Sequence, residues 1–267
     1  MSLTAAAVPA ATAHHSRISR AGWLRLIVVG TVVLALELAC RARWLDPVAV
    51  IAPSRMLQGA WALLASGRYT RDILLTLTNV SIACALAVAA GFLGGWLLYA
   101  LPRLRRAADP LLASYYAIPT FIFYPLFIVL FGLNRWPLIA IGFLFAVVAM
   151  ALNTLQGFER VPRVLRRAAR AMRLSTAQEL RHVVLPACAP HLFTGLKLAI
   201  VYAFIGVIAG EFVLSGAGFG FQIAFAYNSF DNPTMYGLMI LLLGFVGGLN
   251  MLLYSWERRL YLRRGGR

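Results

Sequence analysis

The side chains of this chain whose types and spacing could do chemistry fall into a few small groups. His182 and His191 flank the Leu185-Pro186 boundary at a separation suited to a pair of metal ligands, but no carboxylate or cysteine stands by to complete a set. Cys40, Cys84 and Cys188 are odd in number and sit at unrelated depths of apolar segments, so they make neither a disulfide framework nor a CxxC metal site. The single lysine, Lys197, follows Gly195-Leu196 without the glycine-rich loop that cradles phosphate. No GxSxG elbow and no HExxH helix occur. The acids within apolar runs are Glu37 and Glu211, far apart and unpaired, so general acid–base work has no pair to run on. The chain therefore reads as non-catalytic, with no metal and no cofactor.

The remaining group points to docking. Between Glu159 and Pro186 lies a strongly basic segment set between two long apolar runs. At about 100° per residue, Arg163, Arg166, Arg167, Arg170 and Arg173 fall on one arc of a helix, with Val164, Leu165, Ala168, Ala171 and Met172 on the other side. Such a helix is too polar to cross a bilayer. A shorter block, Thr176 to Val184, follows and is closed by Leu185-Pro186, since proline disfavours helix at the residue before it. This is where a membrane domain would meet a soluble partner.

Composition supplies the membrane domain. Of 267 residues 61% are hydrophobic and 13% charged, with mean hydropathy +0.78, against roughly 45–50% apolar and 25% charged in a soluble domain. The net charge of +16 does not point to nucleic acid, because the basic residues are confined to short segments between apolar runs. Six runs are long enough to cross the hydrocarbon core, which takes roughly twenty residues each: 23–39, 73–100, 110–133, 137–157, 188–214 and 234–254. The first resembles a lipoprotein leader ending at Cys40, but Glu37 argues against cleavage there.

Arginine counting sets the orientation. Arg17, Arg20 and Arg25 share a side with Arg103, Arg105, Arg106, with Arg160 through Arg181 and with Arg258 through Arg267, so both termini are expected in the cytoplasm. Residues 1–22 then form a flexible cytoplasmic tail, 23–254 the membrane domain with the segment 159–186 on its cytoplasmic side, and 255–267 a basic tail. The segment 41–72 carries five arginines on the expected outer side, where Pro53-Ser54-Arg55 opens what reads as a capped amphipathic helix on the membrane surface. The glycine-rich 215–233 loop is expected to dip back as a short re-entrant piece. Gly91 with Gly95, Gly206 with Gly210 and Gly244 with Gly248 place small residues four apart, which lets helices approach closely.

Four further stretches carry a family resemblance: Arg167-Ala-Ala-Arg-Ala-Met-Arg-Leu-Ser175, Val183-Val-Leu-Pro186, Gly195-Leu-Lys-Leu-Ala199 and Ala209-Gly-Glu-Phe212. Together they resemble the signature loop and following helix of binding-protein-dependent ABC importer permeases. Leu36 to Arg41, Pro53-Ser-Arg55, and Ala117-Ile-Pro-Thr120 through Asn153-Thr-Leu-Gln156 extend the likeness over most of the chain, toward the subgroup that imports nitrate, sulfonates, taurine or pyrimidine precursors. The resemblance implies an all-α membrane protein with the type I ABC importer permease fold, in the bacterial inner membrane. It implies an ABC ATPase, a periplasmic solute-binding protein and a second permease copy as partners, with membrane lipid around them. The family loop begins Glu-Ala-Ala and has a glycine six residues after the glutamate; here those positions are Arg167 and Arg173.

On that reading Arg167, Ala168, Ala169, Met172, Arg173, Leu174 and Ser175 are the expected ATPase-coupling residues, with the apolar side chains anchoring and the arginines tuning the contact. The same arginines also suit anionic headgroups of the inner leaflet. Tyr115, Tyr116, Pro119, Thr120 and Tyr124 put polar tips and a helix break into an apolar stretch, and Asn153 adds an amide, so these are the expected translocation path. Glu211, at the outer end of its run, is expected to face protein, the partner permease or the docked binding protein, since a carboxylate in lipid is costly. A stand-alone carrier or channel is the alternative class.

Overall fold

A chain in hydrocarbon must satisfy its backbone hydrogen bonds within each segment, so every long apolar run of this sequence becomes helix. The structure, a computed structural model, describes residues 20–46 and 49–265; among them there is no strand. The helices are α1 (Arg20–Arg41), α2 (Pro53–Ser66), α3 (Thr70–Ala100), α4 (Pro102–Ser114), α5 (Tyr124–Phe131), α6 (Trp136–Glu159), α7 (Arg163–Ala171), α8 (Thr176–Glu179), α9 (Leu185–Leu214), α10 (Phe219–Asn228) and α11 (Asn232–Gly265). Most of the expected N-terminal tail, 1–22, lies outside the described residues. The expected C-terminal tail is helix as far as Gly265, a continuation of α11.

Two units divide the chain, Met1–Arg55 and Met56–Arg267. In the first, Glu37 near the end of α1 accepts the backbone N–H of Ser54 at 3.0 Å and its hydroxyl at 2.7 Å. The free N–H groups at the start of α2 are thus met by a carboxylate, which also favours the helix dipole. Sequence alone assigns that cap to Ser54; here Ser54 donates, and Glu37 is the acceptor.

The second unit is built round α6, which packs against α3 on one side and α9 on the other. Close approach comes from missing side chains. A Cβ on Gly95 of α3 would lie 2.4 Å from the Ala151 carbonyl oxygen of α6, and one on Gly206 of α9 would lie 2.8 Å from the Gly142 Cα. The third small-residue pair differs: nothing in the structure comes within 4 Å of a Cβ on Gly244 or Gly248. The main core joins Val80, Ala83 and Ala87 of α3, Ile139, Ala146 and Met150 of α6, and Ala199, Ala203 and Val207 of α9.

Among the described residues four stretches are long and apolar enough to cross a membrane: Thr70–Ala100, Trp136–Glu159, Thr176–Asn228 and Asn232–Glu257. A fifth is a broken pair, Pro102–Ala117 and Thr120–Phe131, bent by 95°. The span expected over 110–133 is thus two helical pieces, with the break at the expected place and the first piece starting earlier, at Pro102. Pro119 explains the break: it has no N–H to give, and it drives Ile118 to an extended conformation with φ −84° and ψ 121°. The expected re-entrant loop contains α10, whose Phe219, Ile223 and Ala226 are buried in a second core with Met235 and Leu238 of α11.

Candidate functional site

The segment after α6 is a helix–turn–helix whose turns are set by individual residues. Pro162, at φ −58° and ψ 131°, precedes α7 and cannot itself continue α6. At the other end of α7 the N–H of Leu174 reaches the Ala169 carbonyl at 3.1 Å and that of Arg173 the Arg170 carbonyl at 2.9 Å. This is a Schellman closure, and it requires a left-handed residue at its bend. Arg173 takes that place with φ 56°, a conformation that costs a residue with a Cβ roughly 1 kcal/mol or more. The resemblance put a glycine there, and the backbone supplies the reason. Arg173 accordingly lies beyond the helix and not on the expected arginine arc.

Ser175 then starts α8 with a capping box. Its hydroxyl accepts the Gln178 N–H at 3.3 Å, while the Gln178 side chain accepts the Ser175 N–H at 2.9 Å. A π-helical turn, Leu180–Val184, leads into α9.

The expected coupling residues divide by exposure. Arg167, Ala168, Arg173 and Ser175 are exposed and Leu174 is half-buried. Met172 is 72% exposed, as is Val164, with Leu165 beside them at 42%. Ala169, at 2%, faces inward and does not join them. The segment is rooted by a core of Phe158, Val161, Val184 and Cys188, against which Tyr99, Leu180 and Leu192 pack. Arg166 also leaves the expected arc: it is half-buried, donates to the Phe158 carbonyl at 3.0 Å and to the Tyr99 hydroxyl, and stacks 5.2 Å from the Tyr99 ring centre. Nothing in the arginine spacing distinguishes it from its neighbours; the signal is an aromatic residue in a different helix.

Of the expected path residues, Tyr115 to Tyr124 lie at the kink between α4 and α5 while Asn153 lies apart on α6, and only some reach a surface. Tyr116 and Pro119 are exposed, and Tyr115 is half-buried with its hydroxyl donating to the Leu144 carbonyl at 2.8 Å. Thr120 and Tyr124 are 5% and 3% exposed, so they sit within the chain instead of lining an opening in it. The Tyr124 hydroxyl spans to the Leu214 carbonyl at 3.2 Å. Asn153 spends one amide N–H on the Ala149 carbonyl of its own helix at 2.8 Å. Tyr202 of α9, which periodicity does not single out, stacks on Tyr116 with ring centres 5.5 Å apart. Lys197 is paired with Glu257 of α11 at 2.8 Å, so it is not a free cation.

Glu211 is fully buried within this chain and not turned toward a partner permease or binding protein as expected, and one of its two carboxyl oxygens is hydrogen-bonded. One carboxyl oxygen accepts the Thr76 hydroxyl at 2.7 Å and the Gly220 N–H at 3.1 Å. Thr76 in turn accepts the Phe219 N–H at 2.8 Å, and Asp72 accepts the Gly218 N–H at 3.0 Å and the Gln222 amide at 3.1 Å. The N–H groups of Gly218, Phe219 and Gly220 at the start of α10 are thus met by side chains of α3 and α9. Gly218 is held at φ 107°, and a Cβ there would fall 2.5 Å from the Glu211 carboxyl carbon. Asp72, Thr76 and Asn79 share one face of α3 by their spacing, but only the fold brings Glu211 to it. Among the described residues no group of histidines, cysteines and acids could hold a metal ion.

Residues 81–265 match the family described as binding-protein-dependent transport system inner membrane component. A probable ABC transporter permease protein of Brucella melitensis biotype 1 is 29% identical over 244 residues, covering 90% of this chain and 91% of that protein. The nitrate import permease protein NrtB of Leptolyngbya laminosa is 29% identical, covering 73% of each chain. The bicarbonate transport system permease protein CmpB of Synechococcus elongatus is 33% identical, covering 70% of this chain and 68% of that one. In fold, a chain of the inward-facing methionine ABC transporter MetNI superposes with a TM-score of 0.61 at 22% identity, over 74% of this chain and 96% of the other.

Proposed function

Since the chain belongs to the binding-protein-dependent transport system inner membrane component family, a non-catalytic ABC importer permease of the inner membrane, we propose that it crosses the membrane six times with both termini cytoplasmic and couples a separate ATPase to import of a small solute. The observation that carries the coupling role is the segment 159–186. It presents Val164, Ala168 and Met172 outward beside Arg163, Arg167 and Arg170, yet is anchored in the bundle through Val161, Val184 and Cys188. A stand-alone carrier has no use for such a surface. An ATPase groove with apolar walls and an acidic rim fits it, the apolar contact anchoring and the charges steering.

The ATPase closes on nucleotide, the segment moves with it, and two permease copies rock between inward-open and outward-open states. A periplasmic solute-binding protein delivers the cargo at the far end. Tyr116, Pro119 and Tyr202, with Tyr115 behind them, are the proposed path surface in each copy. Its polar tips are tyrosine hydroxyls, with Lys197 already paired, so a small oxyanion or a planar pyrimidine would be held by hydrogen bonds and aromatic faces instead of a free cation. Nitrate, sulfonates such as taurine, bicarbonate and formylaminopyrimidine are the cargoes to try.

The test is co-expression with a candidate ATPase and binding protein, reconstitution in liposomes, and ATP hydrolysis measured with the binding protein loaded with each of those solutes in turn. Stimulation by one of them identifies the cargo. Failure of any ATPase to assemble with the chain would overturn the coupling role.

A further inference from the structure

Five arginines stand between Arg163 and Arg173, and one behaves unlike the others. Arg163, Arg167, Arg170 and Arg173 are exposed, whereas Arg166 is half-buried and turned into the bundle. Its guanidinium donates to the Phe158 carbonyl at 3.0 Å and to the Tyr99 hydroxyl, and lies 5.2 Å from the centre of the Tyr99 ring. Tyr99 stacks in turn on Phe158, with ring centres 5.3 Å apart and an angle of 29° between planes. Three helices meet here: Tyr99 closes α3, Phe158 closes α6, and Arg166 is the middle of α7. The planar, permanently charged guanidinium suits this place, since it can donate to two acceptors while its face covers a ring; an ammonium group cannot do both.

We infer that Arg166 is the positioning residue that conducts motion of α7 into the bundle, by clamping the ends of α3 and α6 to it. The inference rests on the proposed coupling role of residues 159–186. α3, α6 and α9 share one core and move as a body. α7 is joined to that body only by the three-residue stretch 160–162 and by the Schellman bend, α8 and the π-helical turn that lead to α9. Arg166, gripping Tyr99 of α3 and Phe158 of α6 at once, is what makes α7 rigid with it. Without the clamp, α7 would still offer Val164, Ala168 and Met172 to the ATPase, but its motion would be taken up in the joints instead of reaching the bundle.

The experiment uses the assembled permease–ATPase complex in liposomes, in a Cys40→Ala, Cys84→Ala background with buried Cys188 left in place and Ser114→Cys as reporter beside the proposed path. The rate of maleimide alkylation at position 114 is read with and without ATP plus vanadate, together with ATPase co-purification and ATP hydrolysis. Arg166→Ala is expected to co-purify with the ATPase and hydrolyse ATP, while the nucleotide-dependent change in alkylation is lost. Tyr99→Phe, which keeps the ring and the Phe158 contact, is expected to retain part of the change, and Arg166→Lys less than Tyr99→Phe. An Arg166→Ala complex whose alkylation responds as the parent does would overturn the inference, and so would loss of co-purification in that variant alone, which would make Arg166 a docking contact. If Arg166→Ala fails to reach the membrane, an unchanged response in Tyr99→Phe overturns it. A parent chain that binds no ATPase would instead refute the coupling role itself and take this inference with it.

Discussion

Replacing Glu211 by alanine tests whether the acid is there to hold α10. The substitution removes the acceptor of the Thr76 hydroxyl and of the Gly220 N–H. Thr76 can turn, and it still accepts from Phe219, but the Gly220 N–H is left buried without a partner. An orphaned buried donor costs roughly 1–3 kcal/mol, and the space left by the lost atoms adds a cavity cost of similar size. About 4 kcal/mol in all corresponds to a fall in melting temperature of roughly 8–16 °C, on the scaling for globular domains of this size. Scanning fluorimetry of the purified protein in detergent reads this directly. Glu211→Gln keeps the volume and one acceptor oxygen, so about half the loss is expected from it. The reasoning is refuted if Glu211→Ala melts with the wild type. A Glu211→Gln variant as unstable as Glu211→Ala would show instead that the charge matters and not the acceptor.

Three further outcomes follow from the same geometry. Met172→Asp is expected to abolish ATPase co-purification with the melting temperature unchanged, because the carboxylate is solvated in the free chain and buried only in the complex, at a cost of several kcal/mol; Ala169→Asp, at a buried position, should instead lower the melting temperature of the chain alone. Arg173→Gly is expected to raise stability by roughly 1 kcal/mol by relieving the left-handed bend, measurable as a small upward shift in melting; a fall would mean that the arginine makes a contact worth more than the strain. Gly95→Val should separate α3 from α6, with a loss of roughly 1–3 kcal/mol or more from overpacking and poor yield in membranes, whereas Gly244→Ala, which meets nothing within 4 Å, should leave the folded chain unaffected.

The sequence by itself determined this protein's class and the bounds of the basic segment on which the coupling proposal rests. Long apolar runs can only be helices in hydrocarbon, basic residues cannot be spread through them, and the pattern from Arg167 to Pro186 marks the segment that α7 and α8 occupy. Small residues four apart permit close approach of helices without saying where, and the fold uses them at Gly95 and Gly206 but not at Gly244 and Gly248. These features are local, set by composition or by a period along one helix. What only the tertiary structure decided depends on partners distant in the chain. Arg166 is separated from its exposed neighbours by Tyr99, and Glu211 is explained by Thr76 and the start of α10. Thr120 and Tyr124 are buried within the chain, while Tyr202 is brought onto Tyr116 of the proposed path. Periodicity gives the face a residue takes on its own helix, but not which helix lies opposite; a charged or hydroxyl side chain acquires its role from the group it meets there.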